Sequence, residues 1–298
     1  MRKAYRFLAA ALSLVLCTGM QSCHNEKISS GYPILFRCAD VTRAEATIKD
    51  LQDNGFDVNA FFTANGSEFG FTKSLSYDKV SGIWGYNDIE YWLPGATYYF
   101  KAAYPKGVGT IDNTTSAQSF TISDFDVTTQ TDLLVAQTGP IAVDATLGAP
   151  TDGSVVNLQF KHLLACVEIK IKSSINVTIN KITLNDIENF CKYSNGWQSN
   201  GNRTDLEITS DVELTPGADA QSVTGSILVV PIMTGYETIT IEASNKTYSN
   251  ISLPENTSWK NGRKYTYVAE IKQNDIIFNE PSVKVWDSES ATGSVIIQ

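Results

Sequence analysis

The chain has 298 residues, of which 42% are apolar and 18% charged, with a formal net charge of −9. That length suits one large or two ordinary domains with cores of their own, and the composition excludes collagen, coiled coil and wholesale disorder. No Lys/Arg cluster follows the first six residues, which argues against nucleic acid and against electrostatic docking on a membrane.

Arg2, Lys3 and Arg6 make a basic start, residues 7–17 an apolar stretch too short to span a bilayer, and residues 19–22 a small, polar exit. Residues 1–22 therefore read as a secretion signal. The Ser22-Cys23 ending resembles a bacterial lipoprotein processing site, which implies that Cys23 becomes the acylated first residue; ordinary cleavage with Cys23 incidental is the alternative. His24 rather than Asp follows, which in that resemblance points to the outer membrane. Several acyl chains would anchor firmly, since each buried methylene adds about 0.8 kcal/mol. Loss of the signal removes three cations and no anion, so −9 becomes −12. Cys38, Cys166 and Cys191 then remain with no CxxC or Cys/His spacing, so no metal site is expected and their pairing is left open. Cys166, in an apolar run, reads as a buried small hydrophobe.

Residues 24–30 read as a tether and residues 32–38 as a first strand. Thr42-Arg43-Ala44-Glu45 has the form of a capping box, followed by Ile48 and Leu51 at helical spacing and stopped by Asn54-Gly55, which predicts a helix over residues 43–53. Strands are expected over residues 56–61, 73–77 and 83–86. Next, Tyr91-Trp92-Leu93-Pro94-Gly95 turns into a strand on which Tyr98, Phe100, Ala102 and Tyr104 share one face by the period of two, ended by Pro105-Lys106-Gly107. Residues 120–122 add a strand, and residues 132–136 close a first unit. Residues 139–153 read as the passage into a second.

That second unit opens with a change of parity. Leu158, Phe160 and His162 take one face, whereas Val167, Ile169 and Ile171 take the other, which requires a bulge or bend between them. Further strands are expected over residues 179–184, 206–208, 225–232 and 237–243, and residues 259–268 read as a turn feeding another strand. Many short strands with frequent turns predict an all-β chain of two β-sandwiches, residues 23–145 and 146–298, with one short helix near the N-terminus.

Catalytic motifs are missing from the sequence: there is no nucleophile elbow, HExxH, phosphate loop or calcium loop. His162 sits on the core parity of its strand and reads as a structural histidine. No enzymatic activity, cofactor or metal is expected. Trp197 and Trp286 stand out as candidate exposed contact points for a glycan or protein.

Tyr91-Trp92-x-Pro94 with Tyr98-x-Phe100-x-Ala102-x-Tyr104-Pro105 resembles the fimbrillin family of Bacteroidales pilus subunits. The order of Thr42-Arg43-Ala44, Gly55-Phe56-x-Val58-x-Ala60, residues 132–136, Leu158-x-Phe160-x-His162-x-x-Ala165, Val230-Pro231 and Trp259-x-x-Gly262-x-x-Tyr265-x-Tyr267 extends the resemblance over nearly the whole mature chain. It implies two sandwiches of transthyretin-like topology, and a lipid-anchored pilus precursor at the outer membrane and fimbrium that supports adhesion. It also implies assembly by strand exchange: cleavage between Arg43 and Ala44, then donation of a C-terminal strand carrying Ile276, Phe278, Val283, Val285 and Trp286. The implied partners are other pilus subunits, the outer membrane through the lipid and a host or bacterial surface ligand, with no nucleic acid. Two structural alternatives stay open: Arg43 as a mere helix-start residue, and Val283, Val285 and Trp286 as completion of the chain's own second sandwich. A non-polymerising surface lipoprotein that binds glycan or protein, as tip, anchor or adhesin module, is the alternative function.

Overall fold

The computed structural model describes residues 31–38, 45–108, 110–111, 120–151, 153, 155–194, 196–222, 226–233, 235–254, 258–273 and 275–286. Among them the chain is nearly all β-strand, with one α-helix, α1 (Glu45–Asn54). Helix α1 ends as the sequence predicts. Gly55 takes φ +73° and its N–H donates to the Leu51 carbonyl at 2.7 Å, closing the last turn. A Cβ at Gly55 would lie 2.1 Å from the Leu75 carbonyl oxygen, so only glycine fits. Leu51 is buried and Ile48 partly so, both on the first core.

Two hydrophobic cores organise the strands. The first lies under a six-stranded sheet in the order Lys161–His162, Leu134–Ala142, Thr97–Tyr104, Phe56–Ala64, Ser67–Asp78, Ile83–Gly85. Facing it, Leu35–Cys38 pairs in parallel with Val155–Leu158. The second core is sandwiched between two sheets. One places Ala165–Ser173 beside Arg263–Ile271, in parallel; the other runs Arg203–Leu214, Val177–Glu188, Thr238–Ala243, Thr247–Ser252. In the first core Trp92 stands edge-on to Tyr98 and Phe100, with centroids 4.9 and 5.8 Å away, a favoured aromatic geometry.

Tyr98, Phe100, Ala102 and Tyr104 are all buried, as their alternation predicts. The opposite face is not solvated, however: Lys101 and Ala103 are also buried, and Ala103 belongs to the second core. The strand is covered on both sides where the second core abuts it.

The parity change after Phe160 has a plain cause. Val156, Leu158 and Phe160 fill the first core, the chain breaks strand twice, and Leu163 to Ile171 fill the second. The expected division at residues 145/146 falls ahead of Val155–Leu158, a strand of the first core. In the other direction, Phe120–Phe125 pairs with Cys191–Ser194, and Ile122 and Phe125 pack in the second core. Gln130 adds a polar tie. Its Nε2 donates to the Leu228 carbonyl at 3.1 Å and its Oε1 accepts from the Leu228 N–H at 2.9 Å, so one side chain imitates a strand neighbour. Cys38, Cys166 and Cys191 are free thiols, with Cys166 buried as expected.

Candidate assembly interface

Two terminal segments are built differently from the rest of the sandwich. At the amino end, Ile34 and Phe36 of the first strand are buried, whereas Leu35 and Arg37 between them face outward. Phe36 meets Tyr86 and Phe100 edge-on at centroid distances of 5.7 and 5.6 Å. Backbone pairing holds the segment along both sides. Beyond the parallel ladder to Val155–Leu158, the Ile34 N–H donates to Glu90 O at 2.9 Å and the Trp92 N–H to Tyr32 O at 3.0 Å. The Tyr86 hydroxyl donates to the Ile34 carbonyl at 2.7 Å. The first strand is thus a lengthwise plug in the first core, gripped by two unrelated stretches of chain.

At the carboxyl end, Ile276–Phe278 and Ser282–Val285 lie antiparallel along Arg263–Ile271, on the side away from Ala165–Ser173. Ile276 and Phe278 are half-buried on the second core, but Ser282, Val283, Lys284 and Val285 are all exposed. Immediately after them, Trp286 turns inward. Its ring lies parallel to that of His162, with centroids 3.9 Å apart and planes 14° from coplanar, and its backbone N–H donates to Gly262 O at 2.9 Å. His162 is buried, and its Nδ1 lies 2.6 Å from Asp132 Oδ2. A carboxylate only accepts, so Nδ1 carries the proton. Partial desolvation raises the Asp50 carboxyl of α1 above its ordinary value, with the charge of Asp132 adding to it. Burial raises the Tyr104 phenol, and Asp50 adds to that. Asp50 of helix α1 thus feels the charge of Asp132, the residue that holds the His162 ring against Trp286.

The sequence-expected residues fall as follows. Ile276, Phe278, Val283, Val285 and Trp286 come together on one strand edge within their own chain. Cys23, Arg43 and Ala44 lie outside the described residues, as does the remainder of the chain after Trp286. The reading of Trp197 and Trp286 as projecting contact points is corrected. Trp197 is half-buried against Phe125 and Tyr193 with its Nε1 donating to Leu163 O at 3.0 Å, and Trp286 is stacked on His162. Sequence reasoning missed Asp132 as the partner of His162, because the two stand thirty positions apart with no periodic signal that links them. Among the described residues no group of three or more His, Cys, Asp or Glu could hold a metal. No helix among them is long and apolar enough to cross a membrane.

The fimbrillin-like family model matches residues 42–286. The chain belongs to the fimbrillin-like family. Membership makes it a fimbrial subunit, placed in a fimbrium at the cell surface. Solved structures similar to this fimbrillin-like protein include a fimbrial protein from Bacteroides vulgatus, 19% identical, covering 85% of this chain and 99% of that one with a TM-score of 0.66. Others are putative cell adhesion proteins from Bacteroides ovatus (13% identical, 88% and 99% covered, TM-score 0.57) and Bacteroides uniformis (14%, 87% and 99%, TM-score 0.55). At these identities the likeness establishes a shared fold. Comparison with curated protein sequences gives no match.

Proposed function

We propose that this fimbrillin-like protein reaches the surface as a lipid-anchored precursor, held in the outer membrane through acylated Cys23, and joins its fimbrium by strand exchange. Cleavage between Arg43 and Ala44 releases residues 23–43 with the first strand. A C-terminal strand from a neighbouring subunit, carrying Ile276, Phe278, Val283, Val285 and Trp286, then fills the vacated groove by main-chain pairing, with alternate side chains in its pockets. The proposed partners are other subunits, the membrane through the lipid, and a host or bacterial surface ligand; the protein acts as a structural and adhesive element, not as an enzyme.

The observation that carries this reading is the first strand. It supplies Ile34 and Phe36 to the core from a segment that precedes α1, and its place is bounded on both sides by backbone that could pair with a replacement.

The test is to treat purified mature protein with an arginine-specific protease, read the new terminus and run the product unboiled on a denaturing gel. The expected result is a terminus at Ala44 with a ladder of resistant multimers. Resistance at Arg43, or cleavage that leaves only monomer, refutes the polymerising reading in favour of a tip, anchor or adhesin module.

A further inference from the structure

A backbone ladder pairs Ser282–Val285 with Arg263–Thr266. The ladder spans four residues at a sheet edge, and all four are exposed, Val283 at 52% and Val285 at 39%. Their apolar side chains gain little from that position. At Trp286 the segment acquires an aromatic anchor. The indole stacks on His162, while the backbone N–H of Trp286, which any residue there would keep, donates to the Gly262 carbonyl. His162 in turn is immobile: it is buried, its Nδ1–H is held by Asp132, and its own backbone closes on the Gly262 turn, where a Cβ would come within 3.5 Å of the His162 carbonyl oxygen. A large, half-buried aromatic on a rigid platform at the end of an otherwise exposed strand is the arrangement expected of a fastening.

We propose that Trp286, seated on His162, is a latch that keeps the carboxyl-terminal strand on its own sheet and so limits how fast that strand becomes available to another subunit. The second half of this statement rests on the strand-exchange reading; the first half does not. While the latch is closed, Arg263–Thr266 and Ser282–Val285 satisfy each other, and the two edges that face each other are not open to a neighbour. Opening it frees both at once.

The test uses the full mature chain and the variants Trp286→Ala and Trp286→Phe, the second retaining an aromatic ring over His162. Hydrogen exchange in the uncleaved protein is read first. In Trp286→Ala the amides of Ser282–Val285 are expected to lose protection by roughly tenfold, the scale of one lost aromatic contact, while those of Val177–Glu188 are unchanged. In Trp286→Phe most of the protection is retained. Multimer formation after arginine-specific cleavage is read second, and Trp286→Ala is expected to form multimers several-fold faster than the parent. Unchanged protection in Trp286→Ala overturns the latch. Lost protection with an unchanged rate of multimer formation overturns its control of assembly. Lost protection with no multimers from any variant upholds the latch and refutes strand exchange instead.

Discussion

Replacing Phe36 by alanine tests whether the first strand fills the core or merely covers it. The ring is 4% exposed and stands edge-on to both Tyr86 and Phe100. A buried phenylalanine covers about 150–250 Å², and at about 25 cal/mol per Å² its removal from water contributes roughly 4–6 kcal/mol as an upper bound. Measured Phe→Ala losses in cores run about 3–5 kcal/mol. With a urea dependence of about 2 kcal/mol/M, the midpoint of the first core's transition should fall by roughly 1.5–2.5 M. The assay is urea unfolding of the uncleaved protein, followed by the fluorescence of Trp84 and Trp92, which lie in the first core. The matched control is Leu35→Ala, on the outward face one residue away and 39% exposed, for which less than about 1 kcal/mol is expected. Equal effects of the two, or a Phe36→Ala shift as small as the control's, would refute the account of this strand as a core element.

Two further outcomes follow from the same structure. Gln130→Ala should cost about 0.5–1.5 kcal/mol, because the N–H and carbonyl of Leu228 exchange an exposed side-chain partner for water; exchange of the Leu228 amide should rise selectively, and an unaffected amide would exclude the tie. The protein should also lose stability in alkali. Burial pushes the thiols of Cys38 and Cys191 up to about 12 from 9.0, and the phenols of Tyr86 and Tyr98 up to about 12 from 10.0. These acids are held neutral by the fold, so their contribution is fully present below the unfolded values and is lost as pH climbs from about 9 towards about 12. Thermal melts across that window should fall steadily, and a flat profile would contradict the burial of those groups.

The alternation of residues 98–104 made that strand legible, and Gly55 marked the end of α1, because each is a local, periodic or conformational signal. What was hidden is what depends on distant chain. The covering of Lys101 and Ala103 requires a second core that comes later in sequence, and the pairing of Phe120–Phe125 with Cys191–Ser194 joins segments with no mutual signature. Thr247–Ser252 escaped notice because only Tyr248 of that edge strand is buried, leaving no alternation to read. The long Phe56–Ala64 and Ser67–Asp78 hairpin was seen only in part. Its Asn65-Gly66 turn, with both residues at positive φ, is a strong hairpin signal, but Ser67–Gly70 are exposed on both faces and carry no contrast. At the candidate assembly interface, individual strands could be anticipated while the stacking of Trp286 on His162 could not, since an indole that follows a short exposed strand gives no hint of its seat.

The ladder between Phe120–Phe125 and Cys191–Ser194 bears on how a filament of such subunits would carry tension. Pulling on the two ends of one subunit loads the short covalent passage from Phe160 to Leu163. It also loads, in parallel with that passage, the hydrogen bonds of this ladder and the Gln130 contact to Leu228. Because the chain also crosses between the cores from Leu133 to Leu134, strain between them is spread over several attachments and not concentrated on one passage of chain.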